Sequence, residues 1–209
     1  MKILTYSYGL ASANMYVLLF GKEALVIDPC CPWMETGLED VNVKSVLCTH
    51  GHFDHISAAD DIYSRFQCPI YISKEDQNML SDPILNHCVD FGLRVSVSAP
   101  SLAFLGSELN SHDLGFSGAD EFSLKIVKTP GHTSGSVCFL FTSNDPGKHM
   151  FTGDMLFLRS VGRTDLGGSA ADMARSIDLL RSMDDDIVCY PGHGPETVLE
   201  MEKKCNPYF

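Results

Sequence analysis

Thr49-His50-Gly51-His52-Phe53-Asp54-His55 gathers three histidines and one carboxylate into six consecutive positions from His50 onward. Neutral imidazole and carboxylate are the nitrogen and oxygen donors that zinc and its first-row neighbours accept. On an extended segment residues two apart face the same side, so His50 and His52 aim at one point. Asp54 and His55 follow where the chain turns into a helix, and a tight turn aims them at a second point close by. The stretch therefore plans for two metal ions. Just upstream, Val43-Lys44-Ser45-Val46-Leu47-Cys48 is mostly apolar and β-prone, and reads as a buried strand. Donors at the end of such a strand stand where α/β folds build their sites.

The rest of the composition sets bounds. The chain has 209 residues, 44% of them hydrophobic, and is read as one domain over 1–209 with a substantial core. No run approaches the roughly 18 apolar residues of a membrane span. Met1 to Phe20 lacks the charged region, unbroken apolar core and cleavage site of a signal peptide, so a cytoplasmic location is expected. A formal net charge of −12 argues against a nucleic-acid partner. The eight cysteines show no CxxC and no secreted framework, and most read as small buried hydrophobes. Cys30-Cys31, after Asp28-Pro29, is read as a turn. A small-molecule substrate is expected, and the oligomeric state is left open.

Hydrophobic patterning gives strands at Lys2–Ser7, Asn14–Phe20 and Glu23–Asp28, the last two joined by a Gly21-Lys22 hairpin turn. Trp33–Leu38 reads as a short helix. Ile56–Phe66 has apolar residues at 56, 59, 62, 63 and 66, a helical period. Cys68–Ile72 is another strand, and Ser73 caps a short helix with Asp76 three positions on. Residues 81–121 lack a clear period and are expected to be loops and short elements covering one side of the site. His87 and His112, which lie here, are read as non-ligands. Order returns with strands at Phe122–Lys128, Ser136–Thr142, His149–Thr152 and Ile187–Tyr190. Helices are expected over Ala170–Met183, with apolar residues at 173, 177, 180 and 183, and over Glu196–Lys204.

Three of the later strands run into a glycine followed by a histidine or an acid: Gly131-His132, Gly153-Asp154 and Gly192-His193. Glycine lets the backbone turn sharply and approach a ligand closely. One such pair is weak evidence. Three at strand ends, downstream of HxHxDH, form a specific constellation.

THGHFDH, TPGHTSG, FTGD and YPGHG together resemble the metallo-β-lactamase superfamily. Within it, Val161-Gly162-Arg163-Thr164-Asp165-Leu166-Gly167-Gly168 and the ending Asn206-Pro207-Tyr208-Phe209 are similar to short, single-domain members of the glyoxalase II-like (hydroxyacylglutathione hydrolase-like) group. The resemblance implies an α+β fold, a four-layer αββα sandwich with the site at one edge. It implies that His50, His52 and His132 hold a first metal, that Asp54, His55 and His193 hold a second, and that Asp154 bridges them. Two divalent ions follow, zinc foremost, with iron or manganese compatible. The implied chemistry is hydrolysis of a small thioester by a metal-activated hydroxide, with Asp54 as the catalytic group that orients it or takes its proton. Arg163 is a candidate for meeting a substrate carboxylate; pairing with Asp165 is the competing use of that side chain. Dedicated glyoxalase II enzymes grip glutathione with a C-terminal helical domain. Only sixteen residues follow His193 here, too few for one, and Lys203 and Lys204 read as a solvated helix end. Glutathione specificity is therefore left open. Competing expectations within the same fold are a mononuclear-iron persulfide dioxygenase and a lactonase or β-lactamase.

Overall fold

In the computed structural model, which describes residues 1–104, 106–117, 122–143 and 147–209, strand β2 (Ala13–Phe20) is buried at every position from Ala13 to Leu18. A strand covered on both faces requires a layer on each side. Its alternate residues divide accordingly. Met15 and Val17 face one core with Val26, Val46, Ile56 and Ile62. Tyr16 and Leu18 face another with Leu25, Leu47, Leu124, Phe139 and Phe151. The period of two thus builds two interiors at once.

The first sheet has the order β1-β2-β3-β4-β5-β6. β1 (Lys2–Tyr8), β2 and β3 (Glu23–Ile27) form an antiparallel meander, with Gly21-Lys22 as the two-residue turn between Phe20 and Glu23. β4 (Asn42–Leu47), β5 (Ile70–Ile72) and β6 (Ser101–Ala103) continue it in parallel. The second sheet contains β7 (Glu108–Asn110), β8 (Phe122–Lys128), β9 (Val137–Ser143), β10 (Lys148–Gly153), β13 (Val188–Pro191) and β14 (Thr197–Val198). A small hairpin, β11 (Leu156–Phe157) with β12 (Ser160–Val161), stands apart.

Helices cover the outer faces. α1 (Phe53–Ile56) and α2 (Ala59–Phe66) pack Ile56, Ala59 and Ile62 on the first sheet. α3 (Ala170–Arg181) packs Met173, Ile177 and Leu180 on the second, joined by Leu199 of α4 (Leu199–Cys205). Between the sheets lie stacked and edge-on aromatic rings such as Phe122, Phe141 and Tyr16. The result is the expected α+β four-layer αββα sandwich. Among the described residues no helix is long and apolar enough to cross a membrane.

Four details depart from the sequence reading. The helix expected over Ile56–Phe66 breaks at Ser57-Ala58, where the Ala58 N–H bonds to the Pro29 carbonyl and α2 restarts. Trp33–Thr36 is a 3-10 turn that ends at Gly37 in the left-handed region, φ 68°. The closing helix starts at Leu199, because Val188 and Cys189 recruit Thr197 and Val198 as an edge strand. The described part of 81–121 holds the expected loops and short elements, but two of these, β6 and β7, join the sheets as three-residue strands that local pattern did not reveal.

Candidate metal centre

Two parallel strands, β3 and β4, bring their C-terminal ends together. β3 runs directly into Asp28, which is buried and sits at φ 53°. That left-handed bend turns its carboxylate back toward the loop after β4. One oxygen accepts the Thr49 backbone N–H at 2.7 Å. The other accepts the Thr49 hydroxyl at 2.8 Å and meets His55 Nδ1 at 3.0 Å. Asp28 therefore fixes the whole THGHFDH loop from beneath. Sequence reading missed it; the signal available was an acid directly ending the apolar run Ala24–Ile27.

Each of the five histidines has one ring nitrogen tied to an acceptor, and those partners assign its tautomer. His55 donates Nδ1–H to Asp28. The Thr49 hydroxyl proton is committed to Asp28, so its oxygen accepts Nδ1–H from His50 at 3.0 Å. His132 donates Nδ1–H to the Arg163 carbonyl at 2.7 Å and His193 donates Nδ1–H to the Ala11 carbonyl at 3.0 Å. His52 is reversed: its Nε2–H goes to the Leu166 carbonyl at 3.1 Å. The opposite nitrogen of every ring is left facing inward. Outer partners of this kind orient metal-binding imidazoles.

Those inward nitrogens converge with Asp54 and Asp154. Donor atoms of His50, His52 and His132 lie within 4.8 Å of one another, as do those of Asp54, His55 and His193, and of His50, His55 and Asp154. Asp154 lies between the two triads. Its Oδ1 is 3.3 Å from His55 Nε2, and its Oδ2 is 3.3 Å from His132 Nε2 and 3.6 Å from His193 Nε2. Asp54 Oδ2 is 3.3 Å from His193 Nε2.

The cluster is incomplete as an all-protein network. His52 Nδ1 and His132 Nε2 approach to 2.8 Å, although the outer partners leave a lone pair on both. His50 Nε2 and Asp154 Oδ1 are buried with no hydrogen-bond partner. Buried polar atoms without partners are costly. Cations held in these donor groups would satisfy such atoms, so the donor set fits bound metal.

The electrostatics say the same. Burial, then the neighbouring His55, His132 and His52, holds His50 well below the ordinary histidine range. Burial, then His132, brings His52 down to about 3. His55 goes the other way: burial opposes its charge, but Asp154, Asp54 and Asp28 together outweigh it and raise it well above the ordinary value. Burial likewise opposes charge on His193, yet bonds from Asp154 and Asp54 raise it to about 9. Asp154 is held well below the carboxylate range, because His55, His193 and His50 outweigh its burial. The two acids draw in positive charge, and without metal the protons on His55 and His193 supply it.

Two further buried groups hold the loops. Asp76 accepts the Thr133 hydroxyl at 2.6 Å, the Gly135 N–H at 2.8 Å and the Gly51 N–H at 3.2 Å. It joins the His132 loop to the His50 loop, rather than merely closing a capping box with Ser73. Asn14 on β2 donates to the carbonyls of Pro191 and Gly194 at 3.0 and 2.8 Å, holding the His193 loop. Gly192 is required by close approach: a Cβ there would lie 2.1 Å from Asp154 Oδ1 and 2.7 Å from His55 Cε1. Gly153 combines φ +48° with a Cβ position 2.4 Å from the Thr49 hydroxyl oxygen.

The centre opens into a cavity of about 300 Å³ walled by Phe53, Phe91, Phe157 and Leu166, with His87 and Arg163 at its lining. His87 is drawn in through Asn86, whose carbonyl accepts the Phe53 N–H. Its ring is 5.4 Å from that of His52, with Nδ1 bound to Asp90. It belongs to none of the metal-competent groups found among the described residues, and nor does His112. The Arg163 guanidinium forms a two-pronged pair with Asp165, at 2.6 and 2.5 Å, so the Asp165 pairing is the one this structure displays. Cys30 is buried and donates to the Ala13 carbonyl, and burial pushes its thiol up to about 12. All eight cysteines are free.

A four-layer sandwich with seven convergent donors at one edge defines a metal-binding protein of the metallo-hydrolase type. The family model of the metallo-beta-lactamase superfamily matches residues 8–193, and the chain belongs to that superfamily. It is 34% identical to the hydroxyacylglutathione hydrolase GloC of Haemophilus influenzae, over 81% of this chain and 77% of that one. Among solved structures, the B3 metallo-beta-lactamase BLEG-1 superposes with a TM-score of 0.84 at 31% identity, over 99% of both chains. The protein TTHA1623, solved in a di-iron-bound form, gives 0.80 at 27% identity, over 99% of this chain and all of that one.

Proposed function

We propose that the chain is a metal-dependent hydrolase of small thioesters with a two-ion centre. His50, His52 and His132 hold one ion, Asp54, His55 and His193 the other, and Asp154 lies between them. The observation that carries this is the number of inward donors. A mononuclear iron oxygenase employs two histidines and a carboxylate, which would leave four of these seven groups facing the cavity without a partner. The nitrogen and oxygen donors suit zinc first, and iron or manganese also. The likenesses to GloC and to a di-iron protein support the thioester and the ion pair respectively.

When bound, a pair of such ions supplies Lewis acidity toward a carbonyl and a water whose pKa is lowered toward neutrality. The chain's own residues do the rest. Asp54 carries a carboxylate that His55 and His193 outweigh burial to keep ionised, so it orients water and accepts its proton. Phe53, Phe91 and Phe157 wall the cavity and exclude bulk solvent from the acyl group. Arg163 leaves Asp165 to meet a substrate carboxylate. This pair is exposed, so it opens readily.

Elemental analysis of protein purified without added metal, paired with a panel of acyl thioesters, tests this. Two ions per chain and thioester turnover are expected. Two ions with every thioester left intact would remove the hydrolase reading. One iron with oxygen uptake on a persulfide would replace it with the dioxygenase.

A further inference from the structure

A second and larger cavity, of about 660 Å³, shares Gly162 and Arg163 with the cavity of the metal centre. It runs along one face of α3. Ala170, Met173, Ala174, Ile177 and Arg181 follow the spacing i, i+3, i+4, i+7, i+11, a single helical stripe. Eleven residues at 1.5 Å each make that stripe about 16 Å long. Met173 and Ile177 are buried and form an apolar floor, while Ala170 and Ala174 are exposed and keep the channel open by their small size. The far end carries Tyr208 and Arg181. Arg181 gives Asp178 one bond at 2.7 Å and keeps other donors available. Among the described lining residues the charged groups are Arg163, Asp178 and Arg181; Arg163 is paired with Asp165 and Arg181 with Asp178, exposed ion pairs that open readily to an incoming anion.

We propose that this groove receives the thiol arm of the substrate: an extended arm with methylene and methyl groups between its amides, and anionic at its end. The inference rests on the thioester reading above. A cavity of about 300 Å³ holds a small acyl group against Phe53 and Phe91. The part of such a thioester that outgrows it is the thiol carrier, and the groove adjoins the cavity, the two sharing the Gly162-Arg163 segment as a common rim. The buried stripe then covers the arm, and Arg181 with the Tyr208 hydroxyl meets its terminal anion.

Three acetyl thioesters test it with the metal-loaded enzyme: those of N-acetylcysteamine, pantetheine and 4′-phosphopantetheine. The expected KM falls about tenfold from the first to the second and about threefold more to the third. Ala174→Trp fills the groove from its exposed side. It should return both long substrates to the KM of the short one, and Ala170→Trp should do the same if the first variant folds poorly. Arg181→Gln should raise KM for the phosphorylated arm alone. Equal KM values across the series, or a tryptophan effect shared by all three substrates, would overturn the assignment. If no thioester is turned over, the parent reading fails separately. S-methyl phosphopantetheine titrated into metal-free protein by ligand-observed NMR then decides: saturable binding lost in Ala174→Trp supports the groove, and no saturable binding overturns it.

Discussion

The two halves of the centre use the same side chains in opposite electrostatic settings. His50, His52 and His132 are buried and all-nitrogen, and burial keeps His50 and His52 uncharged. His55 and His193 sit between Asp54 and Asp154 and are pushed toward the charged form. The His193 side chain is 27% exposed, whereas its counterparts on the other side are nearly sealed. One half is a dry, neutral cradle ready for a cation. The other must exchange protons for its metal. Preorganisation and charge are thus divided between the sites, and the shared Asp154 couples them.

The substitution with the largest expected effect removes that coupling. Asp154→Ala deprives both halves of a carboxylate, and kcat/KM should fall by roughly 10³-fold or more, the scale of several kcal/mol of lost transition-state stabilisation. Metal content should drop at both positions. If one full equivalent is retained at wild-type affinity, Asp154 belongs to a single half and the coupling is absent.

Asp28→Ala comes next. Asp28 touches His55 directly and reaches His50 only through the Thr49 hydroxyl. Loss of such an outer partner costs about 10–100-fold in metal affinity. Competition with a chelator should show the larger loss at the ion held by His55. Equal losses at both sites would mean that Asp28 supports the loop as a whole and not one ring.

Proton linkage separates the halves in the metal-free protein. In metal-free protein His193 titrates at about 9 against an ordinary 6.5. A raised pKa means the fold binds that proton more tightly, so its contribution is fully present below the ordinary value and fades as pH climbs through 9. His52 is lowered to about 3, so the unfolded chain takes up its proton first. That contribution is present above the ordinary value and fades as pH falls toward 3. Urea unfolding across pH should therefore show metal-free stability declining on both sides of neutrality. His193→Gln should flatten the alkaline limb and His52→Gln the acid one. Metal binding should release protons chiefly from the charged half, seen by calorimetry in buffers of different ionisation enthalpy. Proton release that is the same in His193→Gln as in wild type would dissolve the distinction.

This division was not visible in the sequence, although the donors were. HxHxDH and the three glycine-led dipeptides stand at strand ends whose period is local, so β2, β3, β4, β8, β9 and β10 could be read directly. Asp28 and Asp76 escaped because their partners are distant: Asp28 bonds across 21 residues to Thr49 and Asp76 across 57 to Thr133. Apart from the apolar run that Asp28 ends, nothing near either acid in the chain marks it as a hub. β6 and β7 are three residues each and owe their existence to β5 and β8 alongside them. The break at Ser57-Ala58 is set by Pro29, again far in sequence. The chain around His87 has no metal-ligand motif to mark it, and the contact of Asn86 with Phe53 brings it to the cavity.

The smallest expected effect lies at the rim, where Arg163 is shared between two anions. Its backbone carbonyl orients His132, and a side-chain substitution leaves that bond in place, so the guanidinium can be tested by itself. Arg163→Gln should raise KM about 3–10-fold for thioesters bearing a carboxylate on the acyl group, and leave kcat and uncharged substrates unchanged. Asp165→Asn should act in reverse, lowering KM for the same substrates about twofold by freeing the guanidinium from its two-pronged partner. An equal loss on charged and neutral substrates in Arg163→Gln would mean that the Arg163–Asp165 pair only shapes the loop. In that case the neutral half of the centre, which depends on this loop through both His132 and the Leu166 carbonyl at His52, should lose metal affinity before the charged half does.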